Sequence, residues 1–282
     1  MFKSRILVSI STAIVAMAIF AFMGCGKGTI SALPGENISY TTDHALLART
    51  FNDAQTIADQ AVMTNATTLG TCVNVNLDTI SQYPIRIVTI NFGLTNCLNA
   101  DGKHRHGKMA ISWIGKYDDS SVIKHISFDQ YYVDSNFVNG KIDFRNTGTD
   151  SFGHPITAVT ITDGQITYTN DSAIVGWSAK LTRTWLDGYK TGDIMDDTYQ
   201  LTGSGTLQRQ NIESKIVTYS TITVNYGVPL LIAMNCKFIE QGTVLFNIPH
   251  NNNVRTLDYG NGTCDGNATI NVDNIVYNIL FQ

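Results

Sequence analysis

From Pro84 onward, apolar and polar residues alternate with a period of two. Met109, Ile111 and Trp113 alternate with Ala110 and Ser112, and Val159 and Ile161 repeat the pattern, as do Ile166 and Tyr168. Val175, Trp177, Ala179 and Leu181 keep one parity up to Trp185. Ile216, Thr218, Ser220, Ile222, Val224 and Tyr226 share another face, and the chain closes on Ala268, Ile270, Val272 and then Ile275, Tyr277, Ile279, Phe281. A strand with one wet side has this period. Between the runs lie Asp101-Gly102, Asn139-Gly140, Asp163-Gly164, Asp187-Gly188 and Asp265-Gly266, dipeptides that suit tight hairpin turns. The pattern predicts about a dozen strands in an all-β antiparallel meander, forming a curved sheet, a roll or a sandwich.

One segment has a different period. In Thr42–Val62, Leu47, Phe51, Ala54, Ala58 and Ala61 fall on one stripe at helical spacing, with Asp43 placed to cap the start. This predicts one N-terminal amphipathic helix, within a segment 41–70, packed on an all-β domain spanning 71–282. Residues 25–40, with Gly26, Gly28, Ser31, Pro34 and Gly35, read as a tether.

The two ends of the sheet region echo each other. Thr89-Ile90-Asn91-Phe92-Gly93 precedes Cys97, and Thr256-Leu257-Asp258-Tyr259-Gly260 precedes Cys264, at the same spacing. Each copy has an upstream cysteine, Cys72 or Cys236. Four cysteines permit three pairings, and the echo favours Cys72–Cys97 and Cys236–Cys264. In the second copy, Tyr259 is expected to anchor a strand end and Cys264 to pin the next turn. Its three glycines, Gly260, Gly262 and Gly266, are expected to need positive φ. The rival reading brings Asp101 and Asp265 together in one site.

The first 25 residues carry the address. Lys3 and Arg5 precede an uncharged apolar run from Ile6 to Phe22, and Phe22-Met23-Gly24-Cys25 resembles a lipobox, with Phe22 and Met23 in place of the usual Leu and Ala or Ser. Residues 1–24 thus read as a lipoprotein signal peptide cleaved before Cys25, which becomes the lipidated residue. An ordinary signal peptide and a retained membrane anchor are the competing readings. Lipidation of Cys25 leaves an even four of the five cysteines. The implied location is the bacterial cell envelope, anchored in the outer membrane with a periplasmic or surface face.

Composition sharpens this picture. Of 23 acidic residues, only Glu36, Glu213 and Glu240 are Glu; the rest are Asp, which favours turns and caps over helix interiors. Hydrophobic residues make up 43%, too many for a disordered chain. Without residues 1–24 there remain 17 basic and 23 acidic side chains, a balance that argues against nucleic acid as a partner. It argues equally against electrostatic docking on anionic lipid, so membrane attachment rests on the lipid at Cys25.

The order of signal, short helix, Thr-Ile-Asn-Phe-Gly-x3-Cys, Trp-rich centre and terminal Leu-Asp-Tyr-Gly-x-Gly-x-Cys-Asp resembles uncharacterised β-rich envelope lipoproteins of Gram-negative bacteria. The resemblance covers nearly the whole chain and implies export, lipidation and an all-β fold. It implies no catalytic residue.

The candidate chemistry is sparse. His104 and His106 would share one strand face and could hold a metal, but a third ligand is not identifiable. Asp193, Asp196 and Asp197 cluster, as do Asp118 and Asp119, without the spacing of a Ca2+ loop. Gly203-Ser204-Gly205 reads as a turn or bulge rather than a nucleophile elbow. No cofactor, metal or catalytic residue is assigned. Trp113 and Trp177 read as core, whereas Trp185, at a strand end, is the candidate ligand-binding aromatic. The expected function is a lipid-anchored structural or binding module. The alternatives are a glycan- or peptide-binding surface lipoprotein, with a glycan or an envelope protein as partner, and a hydrolase using Asp carboxylates.

Overall fold

The period-two alternation folds into one continuous sheet. The computed structural model describes residues 38–63, 69–80, 83–170, 172–215, 217–224, 227–249 and 254–281. Residues 1–24, read as a signal peptide, Cys25, and residues 26–37 of the segment read as a tether lie outside these residues. Among the described residues, fifteen strands follow in chain order. The first five are β1 (Asn74–Asp78), β2 (Ile85–Asn91), β3 (Cys97–Leu98), β4 (His104–Ile114) and β5 (Lys124–Val133). The central five are β6 (Asn136–Thr149), β7 (Pro155–Thr167), β8 (Ala173–Asp187), β9 (Thr198–Asn211) and β10 (Val217–Val224). The last five are β11 (Leu230–Ala233), β12 (Gln241–Asn247), β13 (Val254–Asn261), β14 (Asn267–Val272) and β15 (Ile275–Leu280).

Every pairing is antiparallel, and the sheet order is the chain order, with β3 added beside β4. β10 and β11 form one interrupted strand. Val224 faces Gly203 of β9, and Leu230 resumes opposite Leu201. The fold is therefore an all-β meander in a single sheet, with β1 and β15 as its edges. Tight turns with two positive-φ residues, Asp134-Ser135 and Asp273-Asn274, close the β5–β6 and β14–β15 hairpins.

Two of the predicted turn dipeptides are not turns. Asn139-Gly140 lies inside β6 and Asp163-Gly164 inside β7, at the same register shift between these strands. The bulges oppose each other: a Cβ on Gly140 would strike the Gly164 backbone, and one on Gly164 would strike the Phe51 ring. Bulges bend a strand and increase its twist, and here the bend lets the sheet close on the helix. Gly203-Ser204-Gly205 is likewise mid-strand in β9, crowded by the Lys180–Leu181 and Ser178–Ala179 backbones.

The helix α1 spans Ser39–Met63. Its expected stripe is buried, with Leu47, Phe51, Ala54, Ala58 and Ala61 all at most 3% exposed. The opposite face is buried too, including His44, Asn52, Thr56, Asp59 and Gln60. Strands from distant parts of the sheet meet it: Phe128 of β5 and Trp177 of β8 pack on Phe51, and Phe246 of β12 packs on His44. The sheet therefore curls around α1 and makes it the core. Asp43 is not a cap. It lies one turn inside α1 and accepts hydrogen bonds from Tyr168 Oη at 2.8 Å and Arg209 Nη1 at 2.5 Å.

A buried helix is normally apolar all round, so each polar side chain of α1 needs an answer from the sheet. Asn52, Thr56 and Asp59 lie on one helix face and all accept from Arg183, at 3.0, 2.5 and 3.1 Å. Arg183 shares the inward parity of Trp177 and Trp185 on β8, and its guanidinium stacks 3.6 Å from the Tyr199 ring centroid. Arg105, 1% exposed on β4, is instead bound to residues outside α1, namely Asn99, Asp101 and Tyr131.

The echo motifs are structurally equivalent. Phe92 and Tyr259 are both 2% exposed, and Gly93 and Gly260 both have positive φ. Asn91 Oδ1 and Asp258 Oδ1 each accept the following glycine N–H at 2.9 Å. Disulfides join Cys72 to Cys97 and Cys236 to Cys264, with Cα separations of 5.9 and 5.7 Å. Gly262 has positive φ, but Gly266 does not; it is constrained by the closeness of Phe238 and the Phe281 carbonyl.

Candidate binding groove

One face of α1 remains partly open. Thr42, Ala45 and Leu46 are half-buried, while the helix residues from Leu47 to Ala61 are buried. With Arg49 and Thr50 they form the floor of a groove of about 760 Å3. One wall comes from the β5–β6 hairpin and β7, through Val133, Val138, Ile166 and Tyr168. The other comes from Ile239, Tyr259, Leu280 and Phe281, at the C-terminal edge of the sheet. The groove exists because β15, an edge strand, is brought across the helix from β6 without pairing with it.

The polar groups of the walls are mostly committed. Tyr259 Oη lies 2.9 Å from His44 Nδ1, and its ring stacks on Phe281 with centroids 5.4 Å apart. Burial pushes His44 down to about 3, so the imidazole is neutral. Tyr168 Oη is held by Asp43. Burial raises the Asp43 carboxyl against the opposing pull of Arg209.

Three cations border the groove. Arg49 Nη1 donates to the carbonyls of Ala233 at 2.9 Å and Phe238 at 3.5 Å, and its Nε stands 3.8 Å from Asp53. Lys103 is ion-paired with Asp53. Burial alone would raise Asp53, but Lys103, Arg49 and Arg105 outweigh it and hold the carboxyl below its ordinary range. Lys237 is exposed, with its ammonium 4.7 Å from the Phe238 ring centroid and no ion pair among the described residues. Asp134, the one acid on the lining, accepts the His104 N–H at 2.9 Å.

The sequence-nominated residues lie elsewhere. Trp185 is 5% exposed and donates from Nε1 to Asp197 at 3.1 Å; it borders a hollow of only about 40 Å3. It is thus a core residue, as are Trp113 and Trp177. His104 is exposed, while His106 stacks on Tyr132 at 4.2 Å and bonds Asn96. Asp193 caps a short 3-10 turn, Asp196 accepts from Thr191, and Asp197 turns into the core. Asp119 caps its own turn through Ser121. Asp101 is bound to Arg105 and Asp265 to the Asn267 N–H, so the two share no partner. Among the described residues, Cys236, Glu240 and Cys264 form the one group with three potential ligand atoms close together, but its sulfurs are joined to each other.

Sequence reasoning missed Arg49, Lys103 and Lys237. Arg49 and Lys237 are isolated basic residues with no local pattern, Lys103 stands beside His104-Arg105-His106, and only the curl of the sheet brings the three to one rim. No described helix is long and apolar enough to cross a membrane. Comparison of the chain with protein-family models, curated proteins and solved structures finds no match in any of the three.

Proposed function

We propose that this chain is a lipid-anchored binding module of the bacterial cell envelope, with its ligand site in the groove over Ala45 and Leu46. The carrying observation is the groove itself. Its volume, about 760 Å3, lies within the roughly 300–1,000 Å3 typical of small-molecule sites. A helix otherwise buried on every side opens only there and at its two ends. The lipobox-like segment ending in Cys25, the resemblance to envelope lipoproteins and the two disulfides favour an oxidising envelope compartment. The groove floor starts at Thr42, in the first turns of α1, close in sequence to the tether. A chain anchored at Cys25 would hold this end of the domain towards the membrane.

Two measurements test the reading. Labelled palmitate should be incorporated by the wild type and not by Cys25→Ala; no labelling of the wild type in a lipoprotein-competent host refutes the anchor. A neutral fluorescent apolar probe, N-phenyl-1-naphthylamine, should bind the mature chain and be excluded by Leu46→Trp, which fills the groove from a half-buried position. Equal fluorescence for both proteins would place binding elsewhere.

A further inference from the structure

We infer that the ligand of this groove is a single-chain amphiphile with a carboxylate head, of the long-chain fatty-acid type. The inference rests on the groove being a binding site and adds its ligand class. Ala45, Leu46, Leu280 and Phe281 give the groove its open apolar surface, with the fully buried Val138 and Ile166 behind it. A flexible alkyl chain gains roughly 0.8 kcal/mol for each methylene it buries on such a surface.

A sugar is a poor fit for the same walls. Sugars need converging hydrogen-bond partners and open aromatic faces. Here the Tyr259 ring is covered by Phe281, and the hydroxyls of Tyr168 and Tyr259 are already held by Asp43 and His44. These are internal bonds that fix the walls and leave them little polar capacity.

The head group follows from charge. Arg49, Lys103 and Lys237 border the groove against one lining acid, Asp134. Asp53 behind the floor neutralises one of the cations, and Glu240 lies close enough to Arg49 to feel its charge. Lys237 has no carboxylate partner among the described residues. Arg49 donates to the carbonyl of Phe238, the residue after Lys237, so the guanidinium and the free ammonium stand on the same stretch of rim. A carboxylate there can accept from the exposed Lys237 ammonium, and charge-assisted hydrogen bonds are the strong ones; Arg49, 6% exposed with Nη1 held by two carbonyls, adds only its charge from behind. A cationic head would meet repulsion, and a neutral head would leave the lysine unused.

The test uses the mature chain and competition against N-phenyl-1-naphthylamine by dodecanoate, dodecanol and dodecyltrimethylammonium, each below its critical micelle concentration. Dodecanoate should displace the probe best. Lys237→Glu should weaken dodecanoate about tenfold and leave dodecanol unchanged, and Lys237→Gln should fall between. Both substitutions sit at an exposed position, and unchanged thermal unfolding verifies the fold. Dodecanol matching dodecanoate, or no effect of either Lys237 variant, overturns the carboxylate while the groove remains a binding site. Better displacement by soluble glycans or peptides also overturns the ligand class. Failure of the wild type to bind the probe or any of the three amphiphiles refutes the groove reading itself.

Discussion

Asp197→Asn should stabilise the protein at neutral and alkaline pH. Asp197 is 0% exposed, with Oδ1 accepting from Trp185 Nε1 at 3.1 Å and Oδ2 from Tyr199 Oη at 2.9 Å. Burial pushes its carboxyl up to about 7, although Tyr199, Arg183, Gln60 and Trp185 all pull the other way. In the unfolded chain the same group titrates near 3.9. Between about pH 4 and 7 the native state keeps a proton that the unfolded state has released. Stability therefore falls as pH rises through this window, by about 1.4 kcal/mol per unit, and levels off above 7. The full penalty is at most about 4 kcal/mol. Asparagine keeps the shape and removes the titration, and Tyr199 Oη can accept from its amide. Urea unfolding of both proteins from pH 4.5 to 8.5 isolates the effect, because all other groups cancel in the difference. The variant's advantage should grow to several kcal/mol by pH 8 and vanish near pH 4. A difference independent of pH would show that Asp197 does not carry this proton.

His44 has the opposite sign. Its folded value of about 3 lies below the unfolded 6.5. It contributes stability above pH 6.5 that is lost as pH falls towards 3, and His44→Phe should flatten this limb of an acid titration followed by circular dichroism. Gly164→Val should cost about 1–3 kcal/mol in chemical denaturation, since its side chain would overlap the Phe51 ring and the Trp177 carbonyl; an unchanged midpoint would mean that the β6–β7 bend is not needed to seat α1. Replacing Cys236 and Cys264 together by serine should cost roughly 3–4 kcal/mol, from the 28-residue separation they close. Calorimetry measures this loss, and an unshifted melting temperature would contradict it.

The strands were readable because inward parity is written in the residues. Val175, Trp177, Ala179, Leu181 and Trp185 alternate as they pack. The echo was readable for a similar reason: Asn91 and Asp258 fold the same local turn onto Gly93 and Gly260. Asn139-Gly140 and Asp163-Gly164 misled because a bulge and a turn both recruit residues tolerant of positive φ, and only pairing tells them apart. The helix was legible as an element but not as a core. Its stripe predicted one buried face, whereas Asn52, Thr56 and Asp59 are buried by Arg183, 124 to 131 residues away. Arg183 sits on a parity that the eye assigns to apolar residues, so its charge hid its direction. Trp185 was nominated for its place at a strand end, and Asp197 draws it inward. The groove was not legible at all, since its two walls, ending at Tyr168 and resuming at Ile239, are far apart in the chain and meet only across the helix.

The claim that the groove over Ala45 and Leu46 holds a ligand is tested most directly by native mass spectrometry of the protein produced from its full sequence in a Gram-negative host. The wild type should carry a non-covalent small molecule that dissociates on collisional activation, and Leu46→Trp, melting at the same temperature, should have lost it. The same bound mass on both proteins, or none on either, would contradict the account.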